Sequence, residues 1–482
     1  MIKHIKLVVT PLALSMALAG CMSLAPDYER PAAPVASAFP AVPQAATAST
    51  SPVINQAPAA VAWQQFFADP RLRQLIDQAL VNNRDLRIAI ANIEQARAQY
   101  RITRADRLPS VGLGVSGNRQ TVGEDQPINS QYQAGLQVTS FELDLFGRVR
   151  NLSEAALAQY LATEEARKTT QISLIASVAN AYLQLLADEE LLRITQDTLK
   201  TRQDSDRLTQ LRFDNGVASR LDIQQSRSLV ETALATLAQQ QRFRAQDINL
   251  LTLLVGQPLP ADVSTGATLA KTELPDLPAG LPSDLLANRP DIRAAEQDLI
   301  AANANIGAAR ANFFPRISLT ASAGSASTEL SGLFESGTWG WSFAPQAILP
   351  IFDYGRNTAT LGAARAQRDI AVARYEQSIQ TAFREVADAL AGQATYSEQL
   401  RAQAAVTQAE ADRFNLSDLR FRSGAASQLD LLDAQRSLFQ SQQLSVQANL
   451  LRLQNQVALY RVLGGGWVEP AAQADGTPVA AR

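Results

Sequence analysis

Apolar residues recur at alternating steps of three and four along two very long stretches of the chain. In the first stretch, residues 149–213, Ile172, Ile175 and Tyr182 follow this spacing, and proline is absent. The second stretch, residues 357–421, shows the same spacing and also lacks proline. Such steps are typical of coiled-coil packing. We therefore predict two helices of about 100 Å each, at about 1.5 Å per residue, with a narrow apolar seam.

The segments before each long helix change to a period of two, which is the pattern of β-strands. In the first half they span residues 110–120 and 132–146. In the second half one begins at Ile317 and the other runs from Trp339 to Ile351. Each strand is long enough to cross a bilayer when tilted, although soluble hairpins show the same alternation. Trp339 and Trp341 either form an aromatic girdle at a membrane interface or belong to a core.

The second half of the chain repeats the first half at an offset of 208 residues. Leu208–Gln225 reads LTQLRFDNGVASRLDIQQ, and Leu416–Asp433 reads LSDLRFRSGAASQLDLLD. In each copy a glycine lies between small polar residues, which predicts a left-handed helix end at Gly216 and at Gly424. The serine three residues later is the expected N-cap of the next helix. By itself, such a segment is an ordinary corner between two helices.

These patterns divide the chain into six segments. The segments are a leader (1–20), an extended arm (21–68), repeat 1 (69–255), a proline-rich linker (256–287), repeat 2 (288–463) and a tail (464–482). Each repeat is expected to contain a helix, two strands, a long helix, a hairpin tip and a return helix. In repeat 1 we expect Asp69 to cap the first helix, which breaks near Asn83, restarts at Asp85 and ends before Pro109.

The start of the chain has the pattern of a bacterial lipoprotein leader. Lys3 and Lys6 precede an apolar run, Leu7–Ala19, that is too short to be a membrane helix. The run ends in LAGC, in which Cys21 is the residue that is lipidated and becomes the mature first residue. Met22, rather than an aspartate, favours the outer membrane. A single acyl chain binds only reversibly, so the anchor needs further chains such as palmitate, or inserted protein surface.

The composition excludes most catalytic chemistry. The chain has one His and one Cys, and His4 leaves with the leader while lipidation uses Cys21. The mature chain therefore lacks a Ser-His-Asp or Cys-His centre, the commonest zinc ligands and any disulfide. The formal net charge of −3 argues against a nucleic-acid partner. Gly112–Gly117 has the form GxGxxG, but it lies in a strand pattern with no helix after it. We predict no catalytic residue, cofactor or metal, and no enzyme.

Four strands per chain cannot close a barrel, and open strand edges are not tolerated in lipid. Three chains would supply twelve strands, an even number in the known range, together with twelve helices around a wet path. The turns at 212–220 and 420–428 would then meet at the far end of the helices. There Asp430 and Asp433 face the same way and would attract cations as a coupled set. On a single chain they are better explained as ordinary acids of a first helical turn.

Taken in order, these motifs resemble a TolC-like outer membrane factor of the lipoprotein branch that serves resistance-nodulation-division efflux pumps. The motifs are the LAGC site, PDYERP from Pro26, WQQFFADP from Trp63, the duplicated strand-helix-turn-helix unit and LDLLDAQRSLFQSQQ from Leu429. The resemblance covers essentially the whole mature chain. It implies a homotrimer in which a twelve-stranded outer membrane β-barrel joins a long periplasmic α-helical coiled-coil barrel. The arm, the linker and the tail would form an equatorial region.

The resemblance also implies a function and partners. The protein would be the passive exit duct of a tripartite efflux system, opened by a periplasmic adaptor protein that is docked to an inner-membrane transporter. Leu429, Asp430 and Asp433 would form the periplasmic gate. The expected adaptor contacts are Arg212, Gly216, Ser219, Arg420, Gly424 and Ser427.

Some relatives place an arginine in the turn before the gate acids, where this chain has Ala426. The resemblance therefore leaves open which bonds close the mouth of this channel. Two other functions also stay open from the sequence. One is an exit duct for type I protein secretion, which shares the fold and differs only in its partners. The other is a structural lipoprotein with long coiled coils and no channel.

Overall fold

A computed structural model of the protein describes residues 23–40, 61–121, 127–260, 263–264, 266–277 and 282–467. The predictions for the leader, for Cys21 and for the end of the tail lie outside these residues. The chain divides into two compact units, each built from segments that are far apart in the sequence. Of the described residues, those within Met1–Ala33, Ala91–Glu165 and Arg293–Ser378 form the first unit, and those within Pro34–Ile90, Ala166–Ile292 and Ile379–Arg482 form the second.

Nine α-helices, one 3₁₀ turn (Leu269–Lys271) and four strands occur in the described part of the chain. The elements that precede the linker are α1 (Trp63–Phe66), α2 (Pro70–Asn82), α3 (Arg84–Ala105), β1 (Val111–Gln120), β2 (Asn129–Leu143), α4 (Arg148–Asp214) and α5 (Arg220–Val255). Those that follow are α6 (Pro282–Asn288), α7 (Pro290–Ala311), β3 (Arg316–Ser327), β4 (Trp339–Ile348), α8 (Arg356–Arg422) and α9 (Gln428–Val462). Helices α4 and α8 each contain 67 residues, which confirms the two predicted long helices to within one residue at each end. None of the described helices combines the length and the apolar character that a membrane span requires.

Two short helices were not predicted, and one helix start was predicted wrongly. Helix α1 lies in the expected extended arm, because Trp63 and Phe66 are buried there. Helix α6 covers the end of the expected linker and the first residue of repeat 2, and it begins at a proline, as helices often do. Helix α3 does not restart at Asp85. It starts one residue earlier because the side chain of Asn83 accepts a hydrogen bond from the Leu86 N–H at 3.0 Å.

The four strands form one antiparallel sheet in the first unit, in the order β1-β2-β3-β4. One row of paired residues contains Leu113, Leu136, Ala323 and Trp341. The next row contains Gly114, Gly135, Gly324 and Gly340. Because side chains alternate along a strand, one face of the sheet is mainly apolar and aromatic. The other face is mainly small or polar, and its Glu142 and Arg316 form an ion pair at 2.7 Å.

The predicted strands are confirmed, but two of them end early. Strand β2 ends at Leu143 rather than at residue 146. Gly147, with a φ of +74°, then leads the chain into α4. Strand β4 ends at Ile348 rather than at residue 351, because Pro350 has no N–H to donate to a neighbouring strand. In the described part of the chain, β1 and β4 are each paired along one side only.

Small residues pack the helices of the first unit. Ala155 and Ala158 of α4 contact Ala301 and Ala304 of α7 in a buried cluster. Alanine side chains let helix axes approach closely, so this part of the bundle is narrow. The described start of the arm binds to the same helix α7, where the Arg30 Nε donates to Glu296 at 2.7 Å.

The predicted seam of α4 forms the core of the second unit. The residues at steps of three and four are all buried: Ile172, Ile175, Ala179, Tyr182 and Leu186. The Tyr182 hydroxyl donates to Asp69 at 2.8 Å, and Asp69 also accepts from the Arg71 N–H at 2.9 Å, as its predicted N-cap role requires. The ring of Phe66 stacks on Tyr460, with 4.2 Å between the ring centres.

Candidate functional site

The two hairpin tips have the same backbone structure, and both lie in the second unit. Gly216 has a φ of +73° and Gly424 has a φ of +76°, in the left-handed region that favours glycine. In the first tip the Val217 N–H donates to the carbonyl of Arg212 at 2.8 Å, and the second tip repeats this bond at the same length. This is the glycine-ended helix terminus that the repeat predicts.

Each return helix begins with a reciprocal pair of hydrogen bonds between a serine and an aspartate. The Asp430 carboxylate accepts from the Ser427 hydroxyl at 2.7 Å and from its N–H at 3.1 Å, while the Ser427 hydroxyl accepts from the Asp430 N–H at 3.3 Å. Ser219 and Asp222 form the same box in repeat 1. The bonds from the serine lower the pKa of both aspartates. Asp430 therefore serves as a capping acid of α9, and it is exposed.

Asp433 is bound across its own hairpin. Arg413 of α8 donates to one carboxylate oxygen of Asp433, and Nη1 of Arg436 lies 3.7 Å from the other. Arg413 also contacts Glu410 at 3.0 Å. No local motif marks Arg413, so sequence reasoning did not find it. Leu429, the third expected gate residue, is 59% exposed.

The tips of the two repeats contact each other within one chain. The guanidinium carbon of Arg212 lies 4.6 Å from the ring centre of Phe421, which is a cation–π distance. The Gln428 side chain donates to the carbonyl of Asp222 at 3.0 Å. The first contact joins the end of α4 to the end of α8, and the second joins the start of α9 to the start of α5. Neither contact was predicted.

Large apolar side chains are exposed at both tips. Leu211, Val217 and Leu221 of repeat 1 are 59–66% exposed. In repeat 2, Leu419 is 66% exposed and Leu429 is 59% exposed. Exposed apolar groups that are concentrated in one region are typical of interaction surfaces. Of the expected adaptor contacts, Arg420 is exposed, whereas the hydroxyls of Ser219 and Ser427 are used by the caps.

The two tryptophans of β4 lie on the apolar face of the sheet. Trp339 is 70% exposed and Trp341 is 72% exposed. Their partners across β3 are Ser325 and Ala323, which are too small to cover an indole ring. In the chain by itself the pair is therefore a surface feature.

Comparison with known proteins gives a family match over most of the chain. The model of the outer membrane efflux protein family matches residues 75–257 and 281–465. The toluene efflux pump outer membrane protein TtgC of Pseudomonas putida is 50% identical over 470 residues, which cover 96% of each chain. The outer membrane protein OprJ of Pseudomonas aeruginosa is 45% identical over 468 residues and 96% of each chain. The open-state crystal structure of the Neisseria gonorrhoeae MtrE outer membrane channel is 40% identical, with a TM-score of 0.83 over 92% of this chain and 99% of that one.

Proposed function

The chain belongs to the outer membrane efflux protein family, and we propose that it is the outer membrane channel of a tripartite efflux system. The observation that supports this function most is the four-stranded sheet. Its apolar face suits lipid, its polar face suits a wet path, and β1 and β4 are each paired along one side only in the described chain. Unpaired strand edges are not tolerated in lipid, so several chains must join. Three chains give a twelve-stranded barrel in a homotrimer.

In this proposal the protein is a passive duct, and an inner-membrane transporter supplies the energy. Lipidated Cys21 holds the chain at the outer membrane, and Trp339 and Trp341 lie at the membrane interface. The long helices extend into the periplasm with polar faces towards water. A channel of this kind carries out no chemical conversion of its own, which agrees with a family of transport ducts.

The periplasmic gate consists of Leu429, Asp430 and Asp433 at the tip of repeat 2. A periplasmic adaptor opens it by binding the open arrangement of helices more tightly than the closed one. The exposed leucines at both tips, and the exposed Val217 at the tip of repeat 1, support docking of a partner there. The adaptor contacts that we propose are Arg212, Gly216, Ser219, Arg420, Gly424 and Ser427.

The proposed function is tested by conductance. The lipidated protein, purified in detergent, should run as a heat-resistant trimer and form stable conducting pores in planar bilayers. A structural lipoprotein without a channel gives neither result. The alternative of type I protein secretion is separated by co-purification: an efflux channel retains an adaptor and a resistance-nodulation-division transporter, whereas a secretion duct retains the transporter of a secreted protein.

A further inference from the structure

A cavity of about 300 Å³ lies between residues 224–229 of α5 and residues 429–436 of α9, where the return helices of the two repeats approach each other. Its polar lining consists of Gln224, Gln225 and Ser228 from α5 and of Arg436 from α9. Leu229, Leu429 and Leu432 supply its apolar lining. The cavity therefore has one wall from each repeat, and it combines hydrogen-bonding groups, a cation and an apolar surface.

Arg436 has unused capacity to bind an anion. The nearest carboxylate oxygen in the described chain is that of Asp433, at 3.7 Å from Nη1, which is too long for a good hydrogen bond. Asp433 is already bound by Arg413. Because a guanidinium has five N–H donors in a planar fork, Arg436 can offer a bidentate contact to a carboxylate in the cavity.

A second arginine adds positive charge behind the cavity wall. Arg202 is only 3% exposed, and its Nη1 donates to the carbonyl of Leu229, a lining residue, at 2.9 Å. Its Nε has no hydrogen-bond partner, and none of the ion pairs among the described residues includes Arg202. Burial, and then the charge of Arg436, lower the pKa of Arg202. A buried cation without a counter-charge is costly, so an anion nearby is favoured.

We propose that this cavity binds a small organic carboxylate, with its carboxylate group on Arg436 and its apolar part against Leu429 and Leu432. Gln224, Gln225 and Ser228 donate hydrogen bonds from the opposite wall. The ligand spans the return helices of both repeats, so its binding ties the two tips together. This inference concerns binding only, and it stands or falls separately from conduction.

Isothermal titration of the purified full-length trimer tests the site, with benzoate as the probe and benzamide as its uncharged match. We expect saturable binding of benzoate and binding of benzamide that is weaker by at least about tenfold. Arg436→Gln should weaken benzoate binding by at least about tenfold, and Arg436→Lys, which keeps the charge but loses the fork, should weaken it less. Arg436 is exposed, so these variants should fold, and heat-resistant trimers on a gel check this.

Arg227→Gln is the matched control, because Arg227 is an exposed arginine of α5 that does not line the cavity. It should bind benzoate like the unmodified protein. The proposal is overturned if benzoate does not bind saturably, if benzamide binds equally well, or if Arg227→Gln weakens binding as much as Arg436→Gln does.

Discussion

Arg413 on α8 donates a hydrogen bond to Asp433 on α9, and repeat 1 has neither of these charges. The positions 208 residues earlier are Ser205 and Gln225. Ser205 instead accepts a hydrogen bond from Gln435 of repeat 2 at 2.7 Å. The duplication therefore preserved the shape of the hairpin, but the ion pair next to the tip is specific to repeat 2. In repeat 1 the ion pair across the hairpin, Glu189 with Arg244, lies far from the tip. This asymmetry identifies Arg413 as a lock on the proposed gate in a chain that has Ala426 in the preceding turn.

Arg413→Gln should make the closed channel leak. The substitution leaves Asp433 with only the distant contact to Arg436. Both partners are partly exposed, and such pairs contribute about 0.2–1 kcal/mol each, so we expect open probability to rise about 1.4- to 5-fold for each pair lost. Single-channel recording in planar bilayers measures this change.

Arg401→Gln is the control for that experiment. Arg401 is exposed on the same helix and pairs with Glu398 three residues before it, so this pair does not cross the hairpin. The open probability of the Arg401→Gln channel should equal that of the unmodified protein. Equal leakage in both variants would show that loss of any surface arginine of α8 is sufficient, and Arg413 would then not be a lock.

Asp188 and Asp247 make the stability of the α4–α5 pair depend on pH. Burial, then a hydrogen bond with Asp188 and its charge, raise the pKa of Asp247 to about 8. An aspartate in the unfolded chain titrates near about 3.9. The folded chain thus binds more protons between these two values, so stability should fall as pH rises through this window.

The measurement is the thermal unfolding midpoint between about pH 5 and about pH 9. Asp247→Asn, which keeps a neutral side chain at every pH, should show a distinctly shallower fall than the unmodified protein. Asp197→Asn is the matched control, because Asp197 is exposed on α4 and pairs with Arg193. The same slope in all three proteins would contradict the raised pKa of Asp247.

Gly324→Ala should prevent correct formation of the sheet. A Cβ at this position would lie 2.2 Å from the carbonyl oxygen of Ala134 on the neighbouring strand, and backbone atoms cannot move aside easily. We expect loss of most heat-resistant trimer. Gly332→Ala, whose Cβ would stay at least 3.5 Å from its neighbours, should assemble normally. Normal assembly of Gly324→Ala would show that the two strands can separate at this point without cost.

The parts of the fold that depend on local pattern were predictable. The two long helices follow from apolar spacing without proline, and the tips follow from Gly216 and Gly424. The bonds at the tips were not predictable, because they join residues far apart in sequence. Arg413 is 20 residues from Asp433, and the guanidinium carbon of Arg202 lies 5.2 Å from the ring centre of Phe439 in the other repeat. Side-chain partners across a hairpin leave no periodic signal in the sequence.

The most direct test of the proposed gate is Asp430→Ala combined with Asp433→Ala in planar bilayers. Removing these acids takes negative charge from the mouth and frees Arg413, so we expect higher single-channel conductance and weaker preference for cations. Asp222→Ala removes the matching helix cap in repeat 1 and separates loss of a cap from loss of the gate. Conductance and selectivity that stay unchanged in the double variant would contradict a gate at Asp430 and Asp433.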